Sequence, residues 1–330
     1  MTLLHDQLVA LPQADETARA AVHDRAADIL RPSGALAWLD EIAAWVAGWQ
    51  RTDRPAVRKP AGLIFAADHG VAAATKVSAY PTGVTEAMLA AYREGRSTIN
   101  AFARIAGAEV TAIDVGVGHP TGDIRFESAL SERRFELVVQ TAIDAVAAID
   151  CDLLVLGEMG IGNTTPSAAI AAALAGGETA AWVGRGTGVD DEGLARKRAA
   201  VQESVRRIAG ITDPIEILRE VGGAELVAVA AAAIAARHRS IPVVLDGYVV
   251  TAAVLPLFSA DPTALDHCTV GHCSAEPGHR RLLERLGKRP LLDLDMRLGE
   301  GSGAMAAVPL IAMACAGVTE VPTFAEWFGK

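Results

Sequence analysis

The stretch that decides the fold is DLLVLGEMGIGNTTPSAA, residues 152–169. Its apolar start has the length of a strand buried on both faces, and its small-residue end has the composition of a helix. Between them, Gly160 and Gly162 let backbone N–H groups approach a ligand closely, and Asn163 can cap the helix or donate to the ligand. A helix N-terminus here favours an anion such as phosphate. The glycine spacing fits neither a Walker A loop nor the dinucleotide-binding fingerprint; a purely structural tight turn is the alternative.

The same succession of apolar run, glycine-rich turn and amphipathic segment recurs outward from this stretch. The runs lie at residues 62–70, 109–118, 152–163, 179–188, 241–249 and 266–274, and the apolar core of each fits a strand buried on both faces. Alternating strands and helices predict an α/β fold with a doubly wound, mostly parallel sheet. Ligands bind at the carboxyl ends of such strands, so the polar residues that follow the runs are expected to converge there. They are Asp68, His69, Asp114, Glu158, Asn163, Thr164, Arg185, Thr187, Asp246, Tyr248, His272 and Ser274. Any single one of them has a capping or turn role as its alternative.

Composition narrows the class of protein. The 330 residues carry a formal net charge of −10, and no basic stripe is present, so a nucleic-acid partner is not expected. The four cysteines are sparse, which favours reduced thiols and a cytoplasmic location. No secretory signal is recognisable at the N-terminus, and no membrane segment is expected. Residues 1 to about 50 have helical periodicity, and residues 51–60 have the charge and prolines of a linker.

VGRGTGVDDEGLARKRAAV, residues 183–201, is predicted to be a second strand, glycine-rich loop and helix. The backbone around Gly186, Thr187 and Gly188 can form a concave site for an anion. Lys197, on the following helix, can supply a positive charge to a phosphate. The alternative for Lys197 is a solvated surface lysine, which is the commoner position for this residue type.

LDLDMRLGEGSGAMAAVPLI, residues 292–311, places Glu300 between two glycines on a loop with apolar flanks. A carboxylate that is partly desolvated at such a place has a raised pKa and can act as a general base. The alternative is a glutamate that simply faces solvent.

HCTVGHCSAEPGHRR, residues 267–281, contains three histidines and two cysteines. A zinc site is one interpretation, but its Cys spacing is wider than the usual C-x2-C pair. We therefore expect His272, Ser274 and His279 to shape a pocket at a strand end, and we predict no metal.

KVSAYPTGVTEAM, residues 76–88, follows the first predicted strand. Tyr80 and Pro81 offer flat apolar surface on which a planar heterocycle can stack. A loop that packs against the core is the alternative.

Taken together, these motifs resemble one family. ADHGV, VSAYP, DVGV, GEMGIGNTT, GRGTG, LDGYV, GHCSAEPGH and LGEGSGA occur in this order over residues 67–304. In these eight motifs the chain resembles the nicotinate-nucleotide–dimethylbenzimidazole phosphoribosyltransferases of cobalamin biosynthesis. The resemblance implies transfer of 5-phosphoribose from nicotinate mononucleotide to 5,6-dimethylbenzimidazole, giving α-ribazole 5′-phosphate and nicotinate. Because the pyridinium is already a cationic leaving group, we expect neither a metal nor a cofactor.

The resemblance also implies roles for single residues. Glu300 matches the catalytic glutamate, and Glu158 matches a second glutamate of the same cleft. The nucleotide and its phosphate are expected at Gly160, Gly162, Asn163, Gly186, Thr187, Gly188 and Lys197. The base is expected at Ser78, Tyr80, Pro81, Glu86, Met159 and Leu298. Glu86 departs from the amide that this family often has there, which leaves the base preference open.

The family further implies a homodimer with a Rossmann-like large domain and a small helical domain built from both chain ends. We place the N-terminal part of the small domain at residues 1–57, the α/β catalytic domain at 58–303 and the C-terminal part at 304–330. A neighbouring subunit is expected to help close the site.

Two other functions stay open: a related transferase with a phenol or purine acceptor, and a non-catalytic nucleotide sensor.

Overall fold

Six parallel strands form the centre of the fold in a computed structural model that describes residues 2–329. The strands are β1 (Pro60–Ala67), β2 (Glu109–Gly116), β3 (Leu153–Met159), β4 (Val243–Leu245), β5 (Cys268–His272) and β6 (Pro290–Leu292). Their order in the sheet is β2-β1-β3-β4-β5-β6, and every neighbouring pair is parallel. The predicted parallel α/β fold is confirmed.

Helices cover both faces of the sheet. They are α1 (Leu3–Gln7), α2 (Glu16–Asp28), α3 (Trp38–Gln50), α4 (Gly70–Thr75), α5 (Val84–Arg93), α6 (Thr98–Ala106), α7 (Glu132–Ala148), α8 (Thr164–Ala175), α9 (Asp191–Arg207), α10 (Pro214–Val221), α11 (Ala224–His238), α12 (Tyr248–Ala260), α13 (Pro277–Leu286), α14 (Ser302–Thr319) and α15 (Phe324–Phe328). Strand β1 shows why two layers form, since Leu63 and Phe65 join one apolar core while Ile64 and Ala66 join the other. Alternate side chains of a strand point to opposite faces.

The predicted strand within residues 179–188 is wrong. The chain there makes a 3₁₀ turn at Thr179–Trp182 and then a loop. The side chain of Trp182 donates from Nε1 to the Gly176 carbonyl at 2.9 Å, and its own carbonyl accepts from the Tyr248 hydroxyl at 2.7 Å. The second contact uses a backbone carbonyl that a neighbouring strand would need. The sixth strand is instead β6, whose three residues are too short a run for periodicity to reveal.

Burial also departs from expectation at β2. Sequence reasoning treated all runs as buried on both faces, but β2 is the sheet edge and its side chains are partly or fully exposed. By contrast, every residue of β1 and β3 is buried. The difference follows from position in the sheet, because an edge strand has a neighbour on one side only.

The two chain ends pack against each other. An apolar cluster joins Val22, Ala43 and Ala47 of α2 and α3 to Val318 of α14. A backbone bridge links Ile29 to Thr323. These contacts are those expected of a helical unit built from both ends, although its boundaries stay a prediction.

Helix α1 does not follow that scheme. It packs on α7 and α11, which cover the sheet. The Leu3 amide donates to the Glu136 carboxylate at 3.2 Å, and Arg237 donates to the Pro12 carbonyl at 2.9 Å. The first twelve residues therefore contact the α/β part of the chain.

One helix among residues 2–329, α14, is long and apolar enough to cross a membrane by length and composition alone. Of its most apolar window, 56% is buried inside the protein, where the helix packs on α3, α6 and β5. A core helix meets the same criterion, so α14 is weak evidence for a membrane span.

Candidate active site

A cavity of about 390 Å³ opens at the carboxyl ends of the strands. Its walls come from segments that are far apart in sequence. They lie within residues 77–88, 158–164, 186–187, 247–249, 272–276 and 297–300. Carboxyl ends of adjacent parallel strands face the same edge, which explains why these loops meet.

Glu300 lies in this wall, directly against β3. A Cβ on Gly157 would lie 2.5 Å from the Glu300 carbonyl oxygen, so only glycine allows the loop to approach the strand so closely. Gly299, Glu300 and Gly301 all have positive φ, 84°, 67° and 82°. That conformation is unfavourable for a residue with a side chain, and it persists where surrounding contacts fix it, often at functional sites.

Asp246 supplies those contacts. The carboxylate is fully buried at the end of β4 and accepts from the Gly301 amide at 3.1 Å and the Ala304 amide at 2.8 Å. His272 Nε2 lies 3.4 Å from the same carboxylate. Burial alone would raise the pKa of Asp246, but His272 and the two amides outweigh it and the pKa is lowered. Asp246 therefore holds the Glu300 loop and the first turn of α14 as an ionised group.

The Glu300 carboxyl has the protonation behaviour of a general base. Its pKa is raised to about 7, mainly by desolvation; the Tyr92 hydroxyl opposes the rise and the nearby Asp246 charge adds to it. Its Oε2 atom is buried with no hydrogen-bond partner among residues 2–329. A base with a pKa near neutrality and a free oxygen can accept a proton from a bound molecule.

Glu158 is a second carboxyl in the same wall. Desolvation raises its pKa to about 8, with smaller contributions from the charges of Glu225 and Asp246. The Asn163 side-chain amide donates to it and opposes that rise. A Cβ on Gly299 would lie 3.0 Å from Glu158 Oε1, so the two glutamates stand on adjoining parts of the wall. At neutral pH, Glu158 is mainly protonated and Glu300 is partly ionised.

Three groups that favour an anion lie close together at a place that we call the anion end: Thr164 and Gly186, which line the cavity, and Lys197 behind them. Lys197 is fully buried, and its Nζ donates to Thr164 Oγ1 at 2.8 Å. A Cβ on Gly186 would lie 3.0 Å from the same Nζ. Desolvation lowers the pKa of Lys197 to about 8. The solvated surface position considered for Lys197 is thus wrong.

Another part of the wall, which we call the apolar end, is formed by Tyr80, Val84, Met88, Met159 and Leu298. The Ser78 hydroxyl also lines the cavity and lies 3.1 Å from the Thr187 hydroxyl, which joins the 76–88 segment to the 184–188 loop. Tyr80 is 55% and Leu298 53% exposed, so the mouth of the cavity is open in the single chain. Methionine and aromatic side chains suit a flat heterocycle.

The structure does not bring every expected residue to the cavity. Pro81, Glu86, Gly188 and Lys197 are not part of its wall, although the Lys197 ammonium contacts the wall residue Thr164. Glu86 is exposed and lines a separate groove with Asp114. Another side chain of the same helix, Met88, faces the cavity instead, because Glu86 lies on the outer face of α5.

Several polar residues expected there also lie elsewhere. They are Asp68, His69, Asp114, Arg185 and Asp246. Asp68 accepts from the Gly118 amide at 2.8 Å, His69 pairs with Glu225 at 2.6 Å, and Arg185 pairs with Asp191 at 2.6 Å. These residues fix loops behind the cavity, which is the capping and turn role that sequence left open.

His279 is a structural residue of the same kind. Its Nδ1 accepts from the Ser274 amide at 2.7 Å, and its Nε2 lies 3.0 Å from the Thr251 hydroxyl. Desolvation lowers its pKa to about 3, so the ring is neutral. Within residues 2–329, no group of three or more His, Cys, Asp or Glu side chains is arranged to hold a metal ion.

Sequence reasoning missed several contributors to the wall, among them Val84, Met88, Glu276 and Arg297. Val84 and Met88 lie four residues apart on α5, a spacing that places both on one helix face. That spacing was a usable signal. Nothing in the local pattern distinguishes Glu276 or Arg297 from solvated residues.

Comparison with known proteins supports one family. A family model described as "Phosphoribosyltransferase" matches residues 11–327. The nicotinate-nucleotide–dimethylbenzimidazole phosphoribosyltransferase of Mesorhizobium japonicum is 49% identical over 317 residues, with 96% of this chain and 94% of the relative covered. The enzyme of that name from Methylorubrum extorquens is 44% identical, with 98% and 94% covered.

Solved structures agree. A crystal structure of CobT from Thermus thermophilus superimposes with a TM-score of 0.90 at 40% identity, covering 94% of this chain and 98% of the other. A structure of the nicotinate-nucleotide–dimethylbenzimidazole phosphoribosyltransferase from the same organism gives 0.89 at 38% identity, covering 96% and 99%. The chain belongs to the nicotinate-nucleotide–dimethylbenzimidazole phosphoribosyltransferase family.

Proposed function

We propose that this protein transfers 5-phosphoribose from nicotinate mononucleotide to 5,6-dimethylbenzimidazole in the assembly of the cobalamin lower ligand. The products are α-ribazole 5′-phosphate and nicotinate. One observation carries the proposal: a carboxyl with a pKa of about 7 and a free oxygen lines the same cavity as Thr164, whose hydroxyl accepts from the buried Lys197 at the anion end. The apolar end is suited to the benzimidazole.

The chemistry follows from this arrangement. A ring nitrogen of the base forms a bond to C1′ of the ribose, and the bond from C1′ to the pyridinium nitrogen breaks. The bonding electrons leave with nicotinate. Attack from the face opposite the leaving group turns the β-linkage into an α-linkage. Glu300 accepts the proton of the second ring nitrogen, so that the product ring is neutral.

Two effects supply most of the expected rate. In-line positioning of two bound reactants can contribute up to about 7–11 kcal/mol in well-oriented cases. A positioned general base contributes about 10²–10⁴-fold. Glu158, protonated at neutral pH, assists as a hydrogen-bond donor beside Glu300 and leaves the role of base to it.

A direct product assay tests this function. The protein is incubated with nicotinate mononucleotide and dimethylbenzimidazole, and chromatography follows nicotinate and the α-riboside. Adenine and phenol, offered in competition, test the related transferase. Tight nucleotide binding by calorimetry without nicotinate release would instead favour a sensor.

We also infer a homodimer in the cytoplasm. The exposure of Tyr80 and Leu298 at the mouth of the cavity supports closure of the site by a second copy. The four cysteines, Cys151, Cys268, Cys273 and Cys315, are all free, which suits a reducing compartment. Sedimentation analysis at several concentrations tests the dimer.

The pH dependence of kcat/KM is a first prediction. For the acceptor base, kcat/KM rises with pH up to about 7 and then levels off, because Glu300 must be ionised to accept a proton. The measurement is made with two acceptors whose ring nitrogens have different pKa values, which separates titration of the enzyme from that of the substrate. If the pH of the rising part of the profile changes with the acceptor, the titrating group belongs to the substrate and not to Glu300.

Removal of Lys197 is a second prediction. Lys197→Ala raises KM for the nucleotide by about tenfold or more, since it removes a charged donor to phosphate, and changes KM for the base much less. Steady-state kinetics with each substrate varied in turn measures the two effects. Arg196→Ala, an exposed neighbour on α9, is the control. Equal effects on both substrates would contradict a phosphate contact.

A further inference from the structure

Glu276 is a carboxylate at the anion end that the proposed chemistry does not use. It lies immediately before α13 and lines the cavity together with Thr164 and Gly186. Its Oε1 accepts a hydrogen bond from the Gly186 amide at 2.9 Å. That amide belongs to the loop expected to bind the phosphate, so the carboxylate already occupies one of the donors that a phosphate would use.

The second oxygen of Glu276 is poorly accommodated. Oε2 is buried and has no hydrogen-bond partner among residues 2–329. A Cβ on Gly184 would lie 2.0 Å from it, so the oxygen is close against the backbone of the loop. A buried carboxylate oxygen without a donor is unfavourable. The observed position of the side chain therefore depends on Gly186 and on a nearby positive charge.

Lys197 provides that charge. A Cβ on Gly186, whose amide donates to Glu276, would lie 3.0 Å from Lys197 Nζ, and the carboxylate raises the pKa of Lys197 against the larger lowering by desolvation. Gly186 thus donates to the carboxylate and the charge of Lys197 lies nearby, and both are donors that an anionic ligand would need. A phosphate that approaches the Gly186 amide would repel the Glu276 carboxylate, since both are negatively charged. The repulsion is strong because this part of the protein is partly shielded from water.

We propose that the Glu276 carboxylate competes with the phosphate of the nucleotide substrate for the Gly186 amide and for the charge of Lys197. The carboxylate thereby lowers the affinity of the protein for phosphate. The inference rests on the proposed function for the identity of the ligand. Binding of the phosphate turns the Glu276 side chain away, and release of the product lets it return. Glu276 therefore acts through Gly186 and Lys197 and has no part in bond making.

The test is a calorimetric titration of the full chain with inorganic phosphate at constant ionic strength. Glu276→Gln keeps the size of the side chain and an acceptor for Gly186, but removes the charge. We expect the variant to bind phosphate about tenfold more tightly, because one like charge is lost. Glu284→Gln removes an exposed charge from α13 and is expected to bind phosphate like the unmodified protein.

Kinetics give a second readout that a merely structural role would not move. Glu276→Gln lowers KM for the nucleotide and does not raise kcat. Phosphate binding that is unchanged or weaker in Glu276→Gln overturns the proposal. Weaker nucleotide binding with unchanged phosphate binding also overturns it, and would point to a ribose contact.

A second variant and the comparison with the transferase assay allow the proposal to be tested whatever happens to Glu276→Gln or to turnover. If Glu276→Gln does not fold, Glu276→Ala is titrated in its place, with the same expectation. Phosphate binding requires no turnover, so failure of the transferase assay would leave this result readable. Conversely, consider the case in which the protein makes α-ribazole 5′-phosphate while Glu276→Gln shows no gain in phosphate affinity. That result would support the proposed function and overturn the competition by Glu276.

Discussion

Glu300→Gln is expected to lower kcat by about 10²–10⁴-fold, the usual contribution of a general base. The amide has nearly the same shape but cannot accept the proton of the attacking ring. Nucleotide affinity should change little, since the anion end lies on other loops. Single-turnover rates with both substrates saturating, and calorimetry with the nucleotide alone, measure the two quantities separately.

Asp295→Asn is a matched control for that variant. Asp295 is exposed, lies on the same loop and also has a positive φ, 55°, which asparagine tolerates well. The substitution removes one negative charge without touching the cavity wall and should retain the rate of the unmodified enzyme. A Glu300→Gln protein with near-normal kcat would remove Glu300 from the role of base.

Asp246→Ala is expected to have the second large effect, on both stability and activity. It leaves the Gly301 and Ala304 amides without their buried acceptor and removes the carboxylate that lies 3.4 Å from His272 Nε2. Each buried donor that is left without an acceptor costs about 1–3 kcal/mol of unfolding free energy. Because the Glu300 loop loses the contacts that hold its positive-φ conformation, activity should fall even in the folded fraction. Urea unfolding, and rates measured without denaturant, check the two effects.

The pH dependence gives a further check on Asp246. Its pKa is lowered in the folded protein, so its stabilisation is present above the unfolded-state pKa and is lost as pH falls through the folded value. The stability difference between Asp246→Ala and the unmodified protein should therefore shrink in acid. Asp266→Ala, an exposed aspartate before β5, is the control and should lose little stability. A difference that is constant down to acid pH would show that the Asp246 charge is not what stabilises the loop.

The local pattern predicted most of the strands and the loops that form the cavity. Strands β1, β3 and β5 each end in the glycine and polar residues that the sequence singled out, and five of the six predicted runs contain a strand. The failure at 179–188 has a specific cause. An apolar run of strand length is also compatible with a turn that buries its side chains, and Trp182 packs in that way.

What the sequence by itself determined is the succession of strand, glycine-rich loop and helix, because each of these depends on residues that are close neighbours in the chain. Only the tertiary structure decided which side chains face the cavity, that Lys197 is buried beside Thr164, and that Asp246 holds the Glu300 loop. It also decided the raised pKa of Glu300. The physical reason is that desolvation and hydrogen bonds between distant segments arise only when the sheet brings those segments together.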